Sequence, residues 1–249
     1  MSDSSYSPPQ PEETSHGDRS FASVETARSW LMLSGRTQVD LTTPVRATAA
    51  DVVVVDLEDH VPESEKPAAR QRLRTWLSAP HKDESDGGSV WVRIDARSTA
   101  FWEPAVAALQ GAPGLQGIIL AKTESATEAR DTVEAFPGIP VVALIESGRG
   151  LQCVDEMAAS GVVRLGFGTG DFRRDTRLAS PSALAYPRTR IAIASAAAGV
   201  PGPIDGGTVG TDPADIRRQA EIAVEYGFTG KFALHEQQIL PLHDIFGAQ

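Results

Sequence analysis

The reading of the fold turns on DVVVVDLEDHVPESEKPAAR, residues 51–70. Four consecutive β-branched valines, residues 52–55, ask for a strand buried on both faces, the habit of parallel sheets. Acids follow at once: Asp56, Glu58 and Asp59. Side chains on a strand alternate, so a continuing strand puts Asp56 and Glu58 on one face. Carboxylates crowded without a counter-charge favour protonation. The strand must therefore deliver them to something positive.

Working outward, the same kind of run recurs. SWLMLS (29–34), VWVRI (90–94), GIILAK (117–122), PVVALIES (140–147), RLGFGTGD (164–171), PGPID (201–205) and KFALH (231–235) are further strand candidates. Between them lie helix patterns, among them ESEKPAARQRLRTWL, TESATEARDTVEAF and DPADIRRQAEIAVEYGF. Asp212 followed by Pro213 is a good cap and first-turn pair. Strands alternating with helices imply right-handed βαβ units and a parallel sheet. Eight strands close a (β/α)8 TIM barrel, an α/β fold; an open doubly wound sheet is the alternative. GFGTGD resembles a dinucleotide fingerprint but lacks the last spaced glycine, and charged residues follow it, so nucleotide binding is set aside.

The 249 residues, 41% of them hydrophobic, suffice for one domain of this type over residues 28–249. The preceding tail, residues 1–27, opens on a stretch rich in Ser, Pro and Glu that reads as disordered. PHKDESDGGS, residues 80–89, reads as a surface loop. A net charge of −10 argues against nucleic acid or an anionic membrane as partner, though not against an anionic substrate in a locally basic pocket. A lone Cys153 forms no internal disulfide and reads as a buried small residue. No apolar run spans a bilayer and no secretion signal opens the chain, so the expected location is cytoplasmic.

In a barrel the chemistry sits at the C-terminal ends of the strands. Glu146 closes the fifth strand pattern and Asp171 the sixth, with Glu58 and Asp59 at the same mouth. Each acid alone reads as an ion-paired loop residue. Their convergence suits a hard divalent cation such as Mg2+, which takes one or two carboxylates and fills its other positions with water and substrate oxygens. Arg93 ends the third strand and Lys122 the fourth. Arg93 can grip a substrate carboxylate through two parallel hydrogen bonds, and both cations can neutralise the acids.

These motifs together resemble the citrate lyase β-subunit-like and malyl-CoA lyase family of the HpcH/HpaI aldolase superfamily. DLEDHVPESEKPAAR, VRID, ALIESGRGL, GFGTGD and GFTGKFALHEQQI carry the resemblance, in order, from residue 28 to residue 246. It implies that Glu146 and Asp171 bind Mg2+ directly and that Glu58 and Asp59 hold metal-bound waters. It implies that Arg93 grips the carboxylate of a keto acid, with Lys122 beside the substrate and Lys66 and Arg70 as structural partners of the loop. Arg173 and Arg174 are candidates for a second carboxylate or a CoA phosphate; the alternative is a solvated loop paired with Asp175. The implied reaction cleaves or forms a 3-hydroxyacyl-CoA of the citryl-CoA or malyl-CoA kind from an acyl-CoA and a keto acid such as oxaloacetate. The implied assembly is a homotrimer or a multiple of trimers.

The sequence also departs from the pattern. Ala121 and Glu236 stand where the family has proline, and the sequence ends at Gln249 without the acid-bearing segment of longer members. Slow thioester turnover is the expectation from that ending, with His235 considered as a substitute proton donor. Two other readings stay open: a CoA-independent metal aldolase acting on pyruvate or oxaloacetate, and a non-catalytic ligand-binding subunit.

Overall fold

A computed structural model describes residues 23–36, 38–79 and 89–247. Eight strands follow one another around a closed barrel: β1 (Ser29–Ser34), β2 (Val52–Asp56), β3 (Ser89–Ile94), β4 (Gly117–Leu120), β5 (Val141–Ile145), β6 (Arg164–Phe167), β7 (Ile204–Asp205) and β8 (Gly230–Ala233). Every neighbouring pair is parallel, and β1 closes on β8. The helices are α1 (Thr42–Ala47), α2 (Lys66–Ser78), α3 (Trp102–Leu109), α4 (Ala126–Ala135), α5 (Gly148–Gln152), α6 (Val154–Ala158), α7 (Thr169–Thr176), α8 (Ala185–Ala198), α9 (Pro213–Glu225) and α10 (Ile239–Phe246). This is the TIM barrel that the alternation implies. No helix among the described residues is long and apolar enough to cross a membrane.

The valine run shows why the strands are apolar on both faces. Val52 and Val54 point into the barrel with Trp30, Trp91, Ile119, Val142, Leu144, Ile204 and Phe232. Val53 and Val55 point outward to the helices. Each side chain so buried contributes about 1.5–3 kcal/mol relative to exposure. Trp30 and Trp91 meet edge to face with centroids 5.1 Å apart. Gly117 makes room for them, since a Cβ there would lie 2.1 Å from the Trp91 ring.

The end of the barrel opposite the mouth is closed by Arg164, which is fully buried. Its guanidinium donates to the carbonyls of Gly202 (2.6 Å), Val24 (3.0 Å) and Ala27 (2.8 Å) and to Thr229 Oγ1 (2.6 Å). The expected tail, residues 1–27, falls outside the described residues up to residue 22. Residues 23–27 instead form a turn tied to Arg164, with Ala27 fully buried. The expected loop 80–89 lies outside the described residues except for Ser89, which begins β3.

Several strand ends fall short of their expected positions. β7 keeps only two residues, because Pro201 and Pro203 supply no ladder donor. β4 stops at Leu120 because Lys122 turns into the left-handed region at φ 47°. β6 stops at Phe167, and Asp171 stands in the first turn of α7, where a helix N-terminus favours a carboxylate. Cys153 sits half-buried at the junction of α5 and α6.

Candidate active site

Asp56, the last residue of β2, is fully buried beneath the mouth and is the hub of the site. Arg93 donates to it from Nε and Nη2, each at 2.7 Å. The backbone N–H of Glu58 (2.9 Å) and of His60 (3.0 Å) donate to it as well. His60 Nδ1 lies 3.0 Å from Oδ2. Burial alone would raise the Asp56 pKa, but Arg93 and His60 hold the carboxyl well below the usual range. The two-bond fork of Arg93 is therefore occupied by Asp56, and not left open for a substrate as expected. Nη1 remains, 3.2 Å from Glu58 Oε2 and 4.0 Å from Glu146 Oε1.

The Leu57–Glu58 turn is pinned from below. Lys66 Nζ donates to the carbonyls of Leu57 (2.7 Å) and Glu58 (2.9 Å) and to Asp95 Oδ1 (2.7 Å). Lys66 thus has the structural role expected of it. Arg70 is buried near Asp95, and burial pulls its pKa down against that carboxylate.

Glu146 directly follows β5 and is 4% exposed. Its Oε2 accepts from the Lys122 backbone N–H at 2.8 Å, which the left-handed turn at Lys122 presents. Gly168 leaves the space that Glu146 needs: a Cβ there would lie 2.4 Å from Oε1. Lys122 Nζ pairs with Glu58 Oε1 and, at 3.1 Å, with Asp59 Oδ1. Asp171 pairs with Arg174 one turn along α7.

A cavity of about 220 Å³ opens at this mouth, lined among others by Asp59, Arg93, Glu146 and Asp171. Arg174 lines it too. Arg173 does not: it donates to the Ala179 carbonyl at 2.9 Å, away from the other candidates. Lys122 and Glu58 stand behind the lining, joined to it through Asp59 and Arg93. His60, which carries no role in the motifs above, also lines the cavity. Its position four residues after Asp56 was the available signal.

The electrostatics test whether a divalent cation fits. Burial raises the pKa of Glu146 to about 8; Arg93 opposes this, while Glu58 and Asp171 add to it. Burial likewise raises Glu58, against Arg93 and Lys122. Glu58 Oε2 is buried and, despite its nearness to Arg93, makes no hydrogen bond of good geometry among the described residues. Burial would raise Asp59, but the Glu58 carboxyl beside it and the nearby Arg93 and Lys122 lower it. The mouth is thus short of positive charge where Glu58, Glu146 and Asp171 face one another. Among the described residues no three His, Cys, Asp or Glu side chains form a metal cage. Two carboxylates with space for water and substrate oxygens are the arrangement that Mg2+ takes, so the residues fit it.

A family model, HpcH/HpaI aldolase/citrate lyase, matches residues 28–236. The citrate lyase subunit beta-like protein of Deinococcus radiodurans is 29% identical over 88% of this chain and 80% of its own length. The (3S)-malyl-CoA thioesterase of Cereibacter sphaeroides is 30% identical over 80% of this chain and 70% of its own. Two solved structures of Mycobacterium tuberculosis are similar in fold as well. The citrate lyase beta subunit complexed with oxaloacetate and magnesium has a TM-score of 0.73 at 28% identity, covering 89% of this chain and 98% of that one. The protein CitE complexed with magnesium, acetoacetate and coenzyme A has a TM-score of 0.71 at 28% identity, covering 89% and 81%.

Proposed function

The chain belongs to the HpcH/HpaI aldolase/citrate lyase family, and from that premise we propose that it is a Mg2+-dependent carbon–carbon lyase or synthase. Its substrate on this reading is a 3-hydroxyacyl-CoA of the citryl-CoA or malyl-CoA kind, cleaved to an acyl-CoA and a keto acid such as oxaloacetate. The observation that carries the reading is the convergence of Glu146 and Asp171 on one cavity, beside Glu58, whose buried Oε2 has no hydrogen-bond partner among the described residues. The complexes of the M. tuberculosis proteins with magnesium, oxaloacetate and coenzyme A support it.

Glu146 and Asp171 would hold the ion, and Glu58 and Asp59 would orient its waters. Bound there, Mg2+ supplies a Lewis acid that lowers the pKa of a substrate hydroxyl and stabilises negative charge developing on oxygen. Arg93, its plane fixed by Asp56, offers Nη1 to a keto acid carboxylate. Lys122 holds Glu58 and Asp59 in place against their mutual repulsion. Arg174 would exchange Asp171 for a substrate carboxylate once the ion engages Asp171. The low-dielectric floor, with Leu144 and Phe232 in the lining, strengthens each of these contacts.

The cavity of about 220 Å³ suits the acid portion of such a substrate. A CoA moiety would lie across the mouth outside it, which keeps a CoA-independent aldolase as the second reading. Calorimetric titration with Mg2+, then oxaloacetate, then acetyl-CoA separates the two. Keto acid binding that needs Mg2+ supports either enzyme, and acetyl-CoA binding selects the lyase. Loss of Mg2+ binding in Glu146→Ala and Asp171→Ala is expected; unchanged affinity in both refutes the site. Assembly into trimers belongs to the same reading and is tested by sedimentation equilibrium.

A further inference from the structure

Gln238 is a buried polar group beside the cavity that the roles above leave unused. It belongs to the GFTGKFALHEQQI stretch and stands in the turn between β8 and α10, 1% exposed. Its amide makes three hydrogen bonds. Oε1 accepts from the Leu234 N–H at 2.8 Å, and Nε2 donates to the carbonyls of Thr208 at 2.9 Å and Gly210 at 2.7 Å. An N–H on one side and two carbonyls on the other fix which end of the amide is which. Gln238 thus clasps the loop after β7 to the loop after β8. Gly206, Gly207 and Val209 of the first loop and Leu234 of the second line the cavity.

The loop after β7 depends on that clasp. Gly206, Gly207 and Gly210 leave its backbone permissive, and Gly210 takes φ 89°. The Thr208 hydroxyl is buried without a hydrogen-bond partner among the described residues. Among those residues Gln238 makes the only hydrogen bonds to residues 208–210. Val209 lies between the two clasped carbonyls and is 86% exposed at the cavity. A lone exposed valine would need no explanation. This one continues an apolar lining. Val209, Leu234, Phe232 and Met32 come from the adjoining β7, β8 and β1, whereas the charged lining comes from β2 through α7.

The charged side suits the ion and the acid. The apolar side suits the uncharged part of the same substrate, its acyl group and thioester. We propose that Gln238 is a positioning residue that holds Val209 as the apolar lip on which the acyl-thioester portion packs, an assignment that rests on the lyase reading above. Gln238 touches no substrate; it acts by fixing the carbonyls on either side of Val209.

The test uses Val209→Gly, Gln238→Met and the two combined, as full chains with Mg2+. Calorimetry reads acetyl-CoA and oxaloacetate binding, and steady-state assays read KM and kcat for citryl-CoA and malyl-CoA. Each single variant should weaken acetyl-CoA binding and raise KM by about tenfold, the lower end of what an apolar pocket contact contributes. Oxaloacetate affinity and kcat should move by less than about threefold, the pattern of binding shared by ground and transition states. The combined variant should be no worse than about tenfold, because without the Val209 side chain the clasp has nothing to present. Gln238→Asn, whose shorter amide keeps part of the clasp, replaces Gln238→Met if the latter does not fold, and the same pattern is expected of it. Wild-type acetyl-CoA affinity and KM in Val209→Gly overturn the assignment and leave the lyase standing. A hundredfold loss in the combined variant, or oxaloacetate binding that falls with acetyl-CoA binding, overturns the action of Gln238 through Val209. A wild type that binds oxaloacetate but neither binds acetyl-CoA nor cleaves the thioesters overturns the assignment and the lyase together.

Discussion

Replacing Glu146 by Gln removes the charge that the fold holds least comfortably. In the folded protein its pKa stands at about 8, against an ordinary 4.5. Between those values the folded state keeps a proton that the unfolded chain has released. Stability is therefore full below the lower value and falls as pH rises through the upper one. At about 1.4 kcal/mol for each pH unit, the loss attributable to this group is on the order of 5 kcal/mol. Gln keeps the oxygen that accepts from Lys122 N–H and cannot ionise. In EDTA, urea denaturation at a series of pH values should show wild type and Glu146→Gln similar near pH 5, with the variant clearly more stable near pH 8.5. His60, whose pKa Asp56 raises, is present in both proteins, so the difference between the curves isolates Glu146. Excess Mg2+ should then return about 2.7 kcal/mol to the wild type at a hundred times the dissociation constant, and nothing to the variant. Parallel curves in EDTA would refute the claim that this carboxylate lacks a counter-charge.

Three further outcomes are expected. Gly168→Ala thrusts a methyl to within 2.4 Å of Glu146 Oε1; calorimetry should show Mg2+ affinity at least about tenfold weaker, or about 1.4 kcal/mol. Arg93→Ala strips buried Asp56 of its ion partner and should cost about 3–5 kcal/mol in chemical denaturation, the range for breaking a buried pair. Asp205→Asn leaves Arg188 and Lys231 buried without their shared carboxylate and should lower stability by a similar 3–5 kcal/mol, read by the same assay.

The barrel was legible because its strands carry their own signal. The valines of β2 and the runs of β3, β4 and β5 are apolar on both faces, which only a sheet covered by helices explains. The acids at the mouth were legible for a related reason: a charge adjoining such a run must stand where the strand leaves the core. What stayed hidden were partnerships made by closure. That Asp56 would occupy the fork of Arg93 depends on register between β2 and β3, where those two residues are direct neighbours. Arg164 looks like an ordinary strand residue until the turn at residues 23–27 brings it two carbonyls. Asp171 reads as a strand end because GFG suits extended chain, whereas Thr169 already begins a helix. Arg173 and Arg174 are adjacent in sequence and so face different ways around α7, and proximity along the chain could not say which one reaches the cavity.

The thinness of β7 has a mechanical consequence. A closed ring parts first at its narrowest join, and here β6 meets β7 at a single residue pair, Gly166 with Ile204. By contrast β1 and β2 share a ladder running from Trp30 to Ser34. Asp205, clasped by Arg188 from α8 and by Lys231 from β8, rivets β7 to those two neighbours from outside the ring, beside the weak join. The Gly206–Gly207 wall of the cavity hangs directly from the rivet, since Lys231 also holds the Gly206 carbonyl. Amide exchange should therefore begin at this seam, and whatever slackens it will loosen one wall of the cavity before the rest of the barrel yields.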